Sequence, residues 1–146
     1  MSTSQTLCNS SQFACIDAVA DPESAAAIRR DFSDWLHQHF TLDVTRVCDM
    51  VLAVNEAMAN AAEYAYATAE HPGVMAVQAH YDGGAATLTV TVSDHGAWRA
   101  SDATTNQLKR GRGIPLMRAL ADRATVDSSP AGTHVCLKWN RVSPFT

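Results

Sequence analysis

The stretch NEAMANAAEYAY, residues 55–66, decides how this chain is read. It is mostly alanine, the best helix former, with Met58 as its one large apolar side chain. Yet Glu56 and Asn60 stand four residues apart in the middle of it. Asparagine is a poor helix-interior residue because its amide competes with the backbone for hydrogen bonds. On a helix the two side chains share one face, with Cβ atoms roughly 5–6 Å apart. Val54 and Met58 each lie about 200° from Glu56, so the carboxylate stands opposite the apolar stripe. Ala53, Ala57 and Ala59 surround the polar pair. A solvated helix face would carry Lys, Arg, Gln and further Glu instead. Small side chains beside a carboxylate and an amide suit a lined cavity, although an exposed face remains open for the pair taken alone.

Working outward, this helix is expected from about Asp43 to Ala67, with Val44, Val47, Val51, Val54, Met58 and Ala61/Ala62 as its stripe, and HPG at 71–73 ends it. Upstream, DPESAAAIRRDFSDWLHQHF reads as another helix. Asp21 is its N-cap, Pro22 takes the first position, and Ala25, Ile28, Phe32 and Trp35/Leu36 form its stripe. FACIDAV at 13–19 reads as a strand, and the Ser/Thr-rich residues 1–12 as a flexible tail. Downstream, VMAVQAHY and AATLTVTVSD are joined by DGG as a hairpin. A polar stretch from His95 to Arg110 has the length of a lid or binding loop. GRGIPLMRALADR opens a helix near Ile114, and ATVDSS and THVCLKW, linked by PAG, close the chain as strands. The order β, α, α, β, β, loop, α, β, β predicts one α+β domain over 13–146. It is a two-layer sandwich: a mixed, mainly antiparallel sheet with three helices on one face.

The 146 residues suit a single domain. Eleven Lys and Arg against fifteen Asp and Glu give a net charge of −4, and KRGR at 109–112 is the one basic cluster, which argues against duplex nucleic acid as a partner. No apolar run has the length of a membrane span, and the N-terminus lacks a signal-peptide pattern, so a cytoplasmic location is expected. Cys8, Cys15, Cys48 and Cys136 form no CxxC pair, which leaves no zinc or redox motif. They are expected as free thiols, with Cys48 and Cys136 packed as small hydrophobes.

Three further features follow the helix in order. Asp94 ends a β-rich run two residues before Gly96, where a carboxylate beside bare backbone can accept from an exocyclic amino group; a plain turn is the other reading. Gly111, Arg112 and Gly113 precede a helix start, where backbone N–H groups and the helix dipole favour an anion. No GxxxxGK[ST] occurs, so this is not a Walker loop. Gly132-Thr133 opens the last strand.

Together these residues resemble the GHKL, or Bergerat-fold, ATPase superfamily. Glu56 to Asn60 matches its E-x-x-x-N helix motif, Asp94 to Gly96 its D-x-G box, Gly111 to Gly113 its G-x-G box, and Gly132-Thr133 its G-T pair. Within the superfamily, LAVNEAMANAAEYAY and GRGIPLMRALAD look like the corresponding helices of bacterial anti-sigma-factor serine/threonine kinases. Sensor histidine kinases would need a dimerisation helix pair bearing a phosphoacceptor His, and no segment of the 146 residues supplies one. The resemblance implies ATP and Mg²⁺ as cofactors. Asn60 would ligate the metal, a hard cation that takes oxygen ligands, and Glu56 would be the general base. Asp94 would accept from the adenine amino group beside Gly96, with Thr133 supporting that contact through water. Gly111, Arg112 and Gly113 would face the β- and γ-phosphates. It also implies an anti-anti-sigma (STAS-domain) protein as substrate, a sigma factor as sequestered partner, and a homodimer. A module that sequesters a partner with little kinase activity is the alternative, against which the presence of Glu56 argues. Tyr64 stands where many relatives have His, and Pro115 sits in the helix after the second glycine box, tolerable in a first turn.

Overall fold

The computed structural model describes residues 5–61, 73–94, 115–129 and 132–145. Eight strands and two full helices run in the order β1 (Gln5–Cys8), β2 (Gln12–Val19), α1 (Pro22–His39), β3 (Phe40–Thr41), α2 (Val44–Asn60), β4 (Val74–Asp82), β5 (Thr87–Asp94), β6 (Arg123–Ser129), β7 (Gly132–Trp139) and β8 (Ser143–Pro144). Residues 115–120 form a further helical segment. Six strands make one sheet in the order β1-β2-β4-β5-β7-β6, and β3 pairs with β8 in a separate two-stranded ladder.

Every pairing among the described residues is antiparallel, so the sheet is not mixed. The cause lies in the connections. β4–β5 and β6–β7 are tight hairpins, which can join only antiparallel neighbours. Residues 5–8, expected within the tail, are the edge strand β1. Asn9 makes that hairpin: its Oδ1 accepts from the backbone N–H groups of Ser11 and Gln12 at 2.9 and 2.8 Å. This side chain–backbone turn is what reverses the chain, and the run before it is too short to show a period.

Both helices begin as expected. Asp21 caps α1 through the Ser24 N–H at 2.7 Å, and Asp43 caps α2 through the Arg46 N–H at 2.7 Å. Each satisfies a backbone donor that the first turn leaves without a partner. Ala25, Ile28, Phe32, Trp35 and Leu36 are the buried residues of α1. On α2 the buried set is Val47, Met50, Ala53, Val54, Ala57, Met58 and Asn60. The expected stripe was therefore set too far round the helix. Val44 is 77% exposed, Val51 is half-buried, and Ala53 and Ala57 lie in the core. Size explains the error: the small alanines let α2 approach the sheet closely, while Val44 and Val51 sit on its outer flank. The helical continuation expected to Ala67 falls outside the described residues.

The core fills the layer between sheet and helices. α1 packs on α2 and β2, and α2 packs on β5 and β7. Along β5 and β7 alternate side chains point to this layer: Leu88, Val90, Val92 and Asp94 on one, Trp139, Leu137, Val135 and Thr133 on the other. At one end of the layer stands an aromatic cluster. Phe13 meets Phe32 at 5.7 Å and Trp35 at 5.8 Å, Phe40 meets Trp35 edge-on at 5.0 Å, and Tyr81 meets Phe40 at 4.9 Å. The polar tips there are satisfied: Trp35 Nε1 donates to the Asn9 carbonyl at 2.7 Å and Tyr81 Oη to the Val142 carbonyl at 2.6 Å. Arg46, in the first turn of α2, ties the helix to the same end, donating to the carbonyls of Asn140 and Arg141 and pairing with Asp122 at 3.5 Å.

The cysteines depart from expectation. All four are free, but Cys15 is the buried one, Cys48 is exposed and Cys136 half-buried. Cys48 lies on the outer flank of α2, and Cys136 points to the open face of the sheet between Val135 and Leu137.

Candidate functional site

The end of the layer opposite the aromatic cluster is polar. The register pairs Tyr81 with Leu88 at one end of the β4–β5 ladder and Met75 with Asp94 at the other. Six residues of strand, about 20 Å, separate them. In the position where the alternation of β5 calls for a fourth apolar residue stands Asp94, 5% exposed. In the matching position of β7 stands Thr133, 4% exposed. A charged group at such depth needs partners. The Thr133 backbone N–H donates to Asp94 Oδ1 at 3.3 Å. Gly132 makes this approach possible. Its φ of 137° is a conformation that side chains with a Cβ rarely adopt, and it delivers the chain into β7 just before Thr133.

The last turn of α2 runs toward this end. Its polar residue Asn60 is 6% exposed, and among the described residues no group hydrogen-bonds to its side-chain amide. Buried amides nearly always have partners, and none of the described residues supplies one here. Glu56, one turn earlier on the same flank, is half-buried, and no ion pair to it occurs among the described residues. On α2 Val47, on the α1 side, lies about 180° from Glu56, whereas Leu52, which also borders α1, lies about 40° from it.

The structure thus joins Asp94 to Thr133 directly, and sets Glu56 and Asn60 on one flank of α2, the helix that packs on the two strands carrying them. It shows a backbone link from Thr133 to Asp94. Gly132, read from the sequence only as half of a G-T pair, gains a conformational role; the glycine immediately before a strand was the available signal. Gly96, Gly111, Arg112 and Gly113, with the 95–110 stretch and Tyr64, lie outside the described residues. Among those described, no three His, Cys, Asp or Glu side chains cluster as a metal site. No described helix is long and apolar enough to cross a membrane.

The donor set fits a nucleotide. It offers a buried carboxylate for an amino group, a buried amide oxygen for a metal or a polar ligand atom, and a second carboxylate beside it.

Known proteins share this fold. A crystal structure of the RsbU and RsbW domains of a Mycobacterium tuberculosis protein matches with a TM-score of 0.70 at 25% sequence identity. The match covers 91% of this chain and 33% of that one, so this chain spans about a third of its length. The family model for the histidine kinase-like ATPase domain matches residues 18–139, and with most of its length accounted for in this way, the chain belongs to that family, whose membership implies ATP as its ligand.

Proposed function

We propose that the chain is a Mg²⁺-dependent protein serine/threonine kinase that acts as an anti-sigma factor. Its substrate is a hydroxyl on a small STAS-type anti-anti-sigma protein, and its other partner a sigma factor that it holds inactive. The observation that carries the nucleotide half of this reading is the buried Asp94–Thr133 contact, on the same layer as a buried Asn60 amide with no protein partner among the described residues. The partner half rests on likeness to an RsbW-containing structure and on the motif pattern around Glu56 and Asn60. Homodimer formation and a cytoplasmic location belong to the same proposal.

The chemistry assigned to each residue follows from its type and place. Asp94 accepts a hydrogen bond from the adenine amino group, which guanine lacks at that position. Thr133 and the bare backbone at Gly96 hold the carboxylate and the base edge together. Asn60 would hold Mg²⁺ through its Oδ1, and the ion would supply charge neutralisation at the phosphates. Gly111, Arg112 and Gly113 supply N–H groups and a cation to the β- and γ-phosphates. Glu56 takes the proton of the attacking hydroxyl, a role for which its incomplete burial leaves access. Phosphoryl transfer needs mainly positioning and charge neutralisation, and these residues provide both.

The test is incubation of the chain with [γ-³²P]ATP, Mg²⁺ and candidate STAS proteins, followed by mapping of phosphoserine and phosphothreonine. Label on a STAS hydroxyl is expected. ATP binding with no label on any candidate would favour instead a module that sequesters its partner without phosphorylating it.

A further inference from the structure

Glu56 stands on a turn of α2 that apolar packing holds loosely about the helix axis. Toward the core this turn presents Ala53 and Ala57, both buried and both too short to interlock deeply with the side chains they meet. Toward α1 the two helices leave a groove of about 480 Å³, which Arg29 and Ser33 line from one side and Val51, Leu52 and Asn55 from the other. The carboxylate of Glu56 has no hydrogen bond or ion pair of its own among the described residues. Its direction therefore follows the rotation of the helix that carries it.

One directional contact crosses the groove. Arg29 Nη1 of α1 donates to Asn55 Oδ1 of α2 at 2.5 Å, in a part-buried setting. Among the described residues no other hydrogen bond or ion pair joins α1 to α2. A guanidinium donor makes this one of the stronger kinds of hydrogen bond, and it is sensitive to angle. Asn55 is the residue immediately before Glu56. Asparagine is a costly choice inside a helix, because its amide competes for backbone hydrogen bonds. Here its oxygen is engaged across the groove instead.

We propose that Arg29 is a positioning residue for phosphoryl transfer. Through Asn55 it fixes the rotation of the α2 turn that carries Glu56, and so aims the base at the acceptor hydroxyl. The inference rests on the kinase reading above. Helical side chains reach roughly 5–6 Å from the axis, so a turn of about 10° moves a carboxylate tip by about 1 Å. A misplacement of about that size can cost up to about 10²-fold in rate. Asn60 has the shorter side chain and is buried, so it moves less. The adenine contacts, on Asp94 and Thr133, belong to the sheet and do not turn with α2.

The experiment measures kcat and KM for transfer from [γ-³²P]ATP to the STAS protein labelled in the incubation above. It compares the parent chain with Arg29→Met, Asn55→Leu, the double variant and Arg29→Lys, at a temperature where circular dichroism shows each fully folded. Arg29→Met and Asn55→Leu should each lower kcat by about tenfold while the KM for ATP stays at the parent value. The double variant should fall no further than either single one, as expected when both remove the same contact. Arg29→Lys, which keeps a cationic donor, should recover most of the loss. A purely structural contact would lower stability and leave kcat of the folded chain unchanged, so parental kcat in Arg29→Met would overturn the role. Losses that multiply in the double variant would also overturn it, since Arg29 would then act without Asn55. So would a loss confined to the KM for ATP. Absence of transfer by the parent chain itself would remove the kinase reading and this role with it, whereas parental kcat in Arg29→Met removes this role alone.

Discussion

The two ends of the layer between sheet and helices draw their key side chains from different elements and differ in what they leave satisfied. At the Tyr81–Leu88 end, large aromatic side chains interlock, and their polar tips donate to backbone carbonyls. Trp139 follows the same rule, its Nε1 donating to the Leu120 carbonyl at 2.9 Å. At the Met75–Asp94 end, β5, β7 and α2 each bring in a buried polar residue: Asp94, Thr133 and Asn60. Apolar residues in those three places would have completed the core at lower cost, since burying a carboxylate or an amide is unfavourable without full compensation. The first end is made for stability. The second keeps buried polar residues where apolar ones would pack, the pattern expected of a functional site.

If the division is real, substitutions at the two ends should separate stability from nucleotide chemistry. The largest effect is expected at the aromatic end. Phe32→Ala removes a ring buried between Phe13 and Trp35 and should lower unfolding free energy by about 3–5 kcal/mol in urea titration. At a denaturant-free temperature where the variant is folded, its ATP affinity should match the parent. A loss of affinity larger than the loss of folded fraction would mean that the two ends are not separate.

Next in size is Glu56→Gln. It should keep Mg·ATP affinity and stability while phosphoryl transfer falls by about 10²-fold or more, equivalent to about 3 kcal/mol in the barrier. Transfer at the parent rate would remove Glu56 from the role of base. The smallest effect is expected for Arg46→Ala, which frees the start of α2 from the Asn140–Arg141 turn. Its hydrogen bonds are near the surface, so a loss of about 1 kcal/mol in stability is expected, with nucleotide binding unchanged. A fall in ATP affinity with Arg46→Ala would show that the position of α2 is transmitted along its length to Asn60.

How much of this was legible in the sequence depended on the kind of signal. The helix starts at Asp21 and Asp43 were legible because capping is local chemistry. The hairpin strands were legible because their alternation is long, as in the four buried positions of β5. The short strands β1, β3 and β8 were not, since two to four residues carry no period. The buried face of α2 was misplaced because hydrophobicity ranks Val44 and Val51 above Ala53 and Ala57, whereas close approach to a sheet favours the smaller residue. For the same reason the alanines round Glu56 and Asn60 do two jobs. Ala53 and Ala57 pack into the core, and half-buried Ala59 remains of the shallow face expected beside the pair. At the candidate site, residue types and their order pointed to Asp94 and Thr133. Their direct contact depends on a register between strands some forty residues apart, which no local pattern encodes.

The central claim is that Asp94 reads adenine, and nucleotide titration calorimetry tests it most directly. A carboxylate can accept from Thr133 and from an amino group together, whereas an amide has one acceptor oxygen and would set its own N–H₂ against one of those donors. The parent chain should therefore bind ATP at least about tenfold more tightly than GTP, and Asp94→Asn should weaken ATP by about tenfold or more while remaining folded. Equal affinity of the parent for ATP and GTP, or an Asp94→Asn chain that binds ATP as the parent does, would contradict the account.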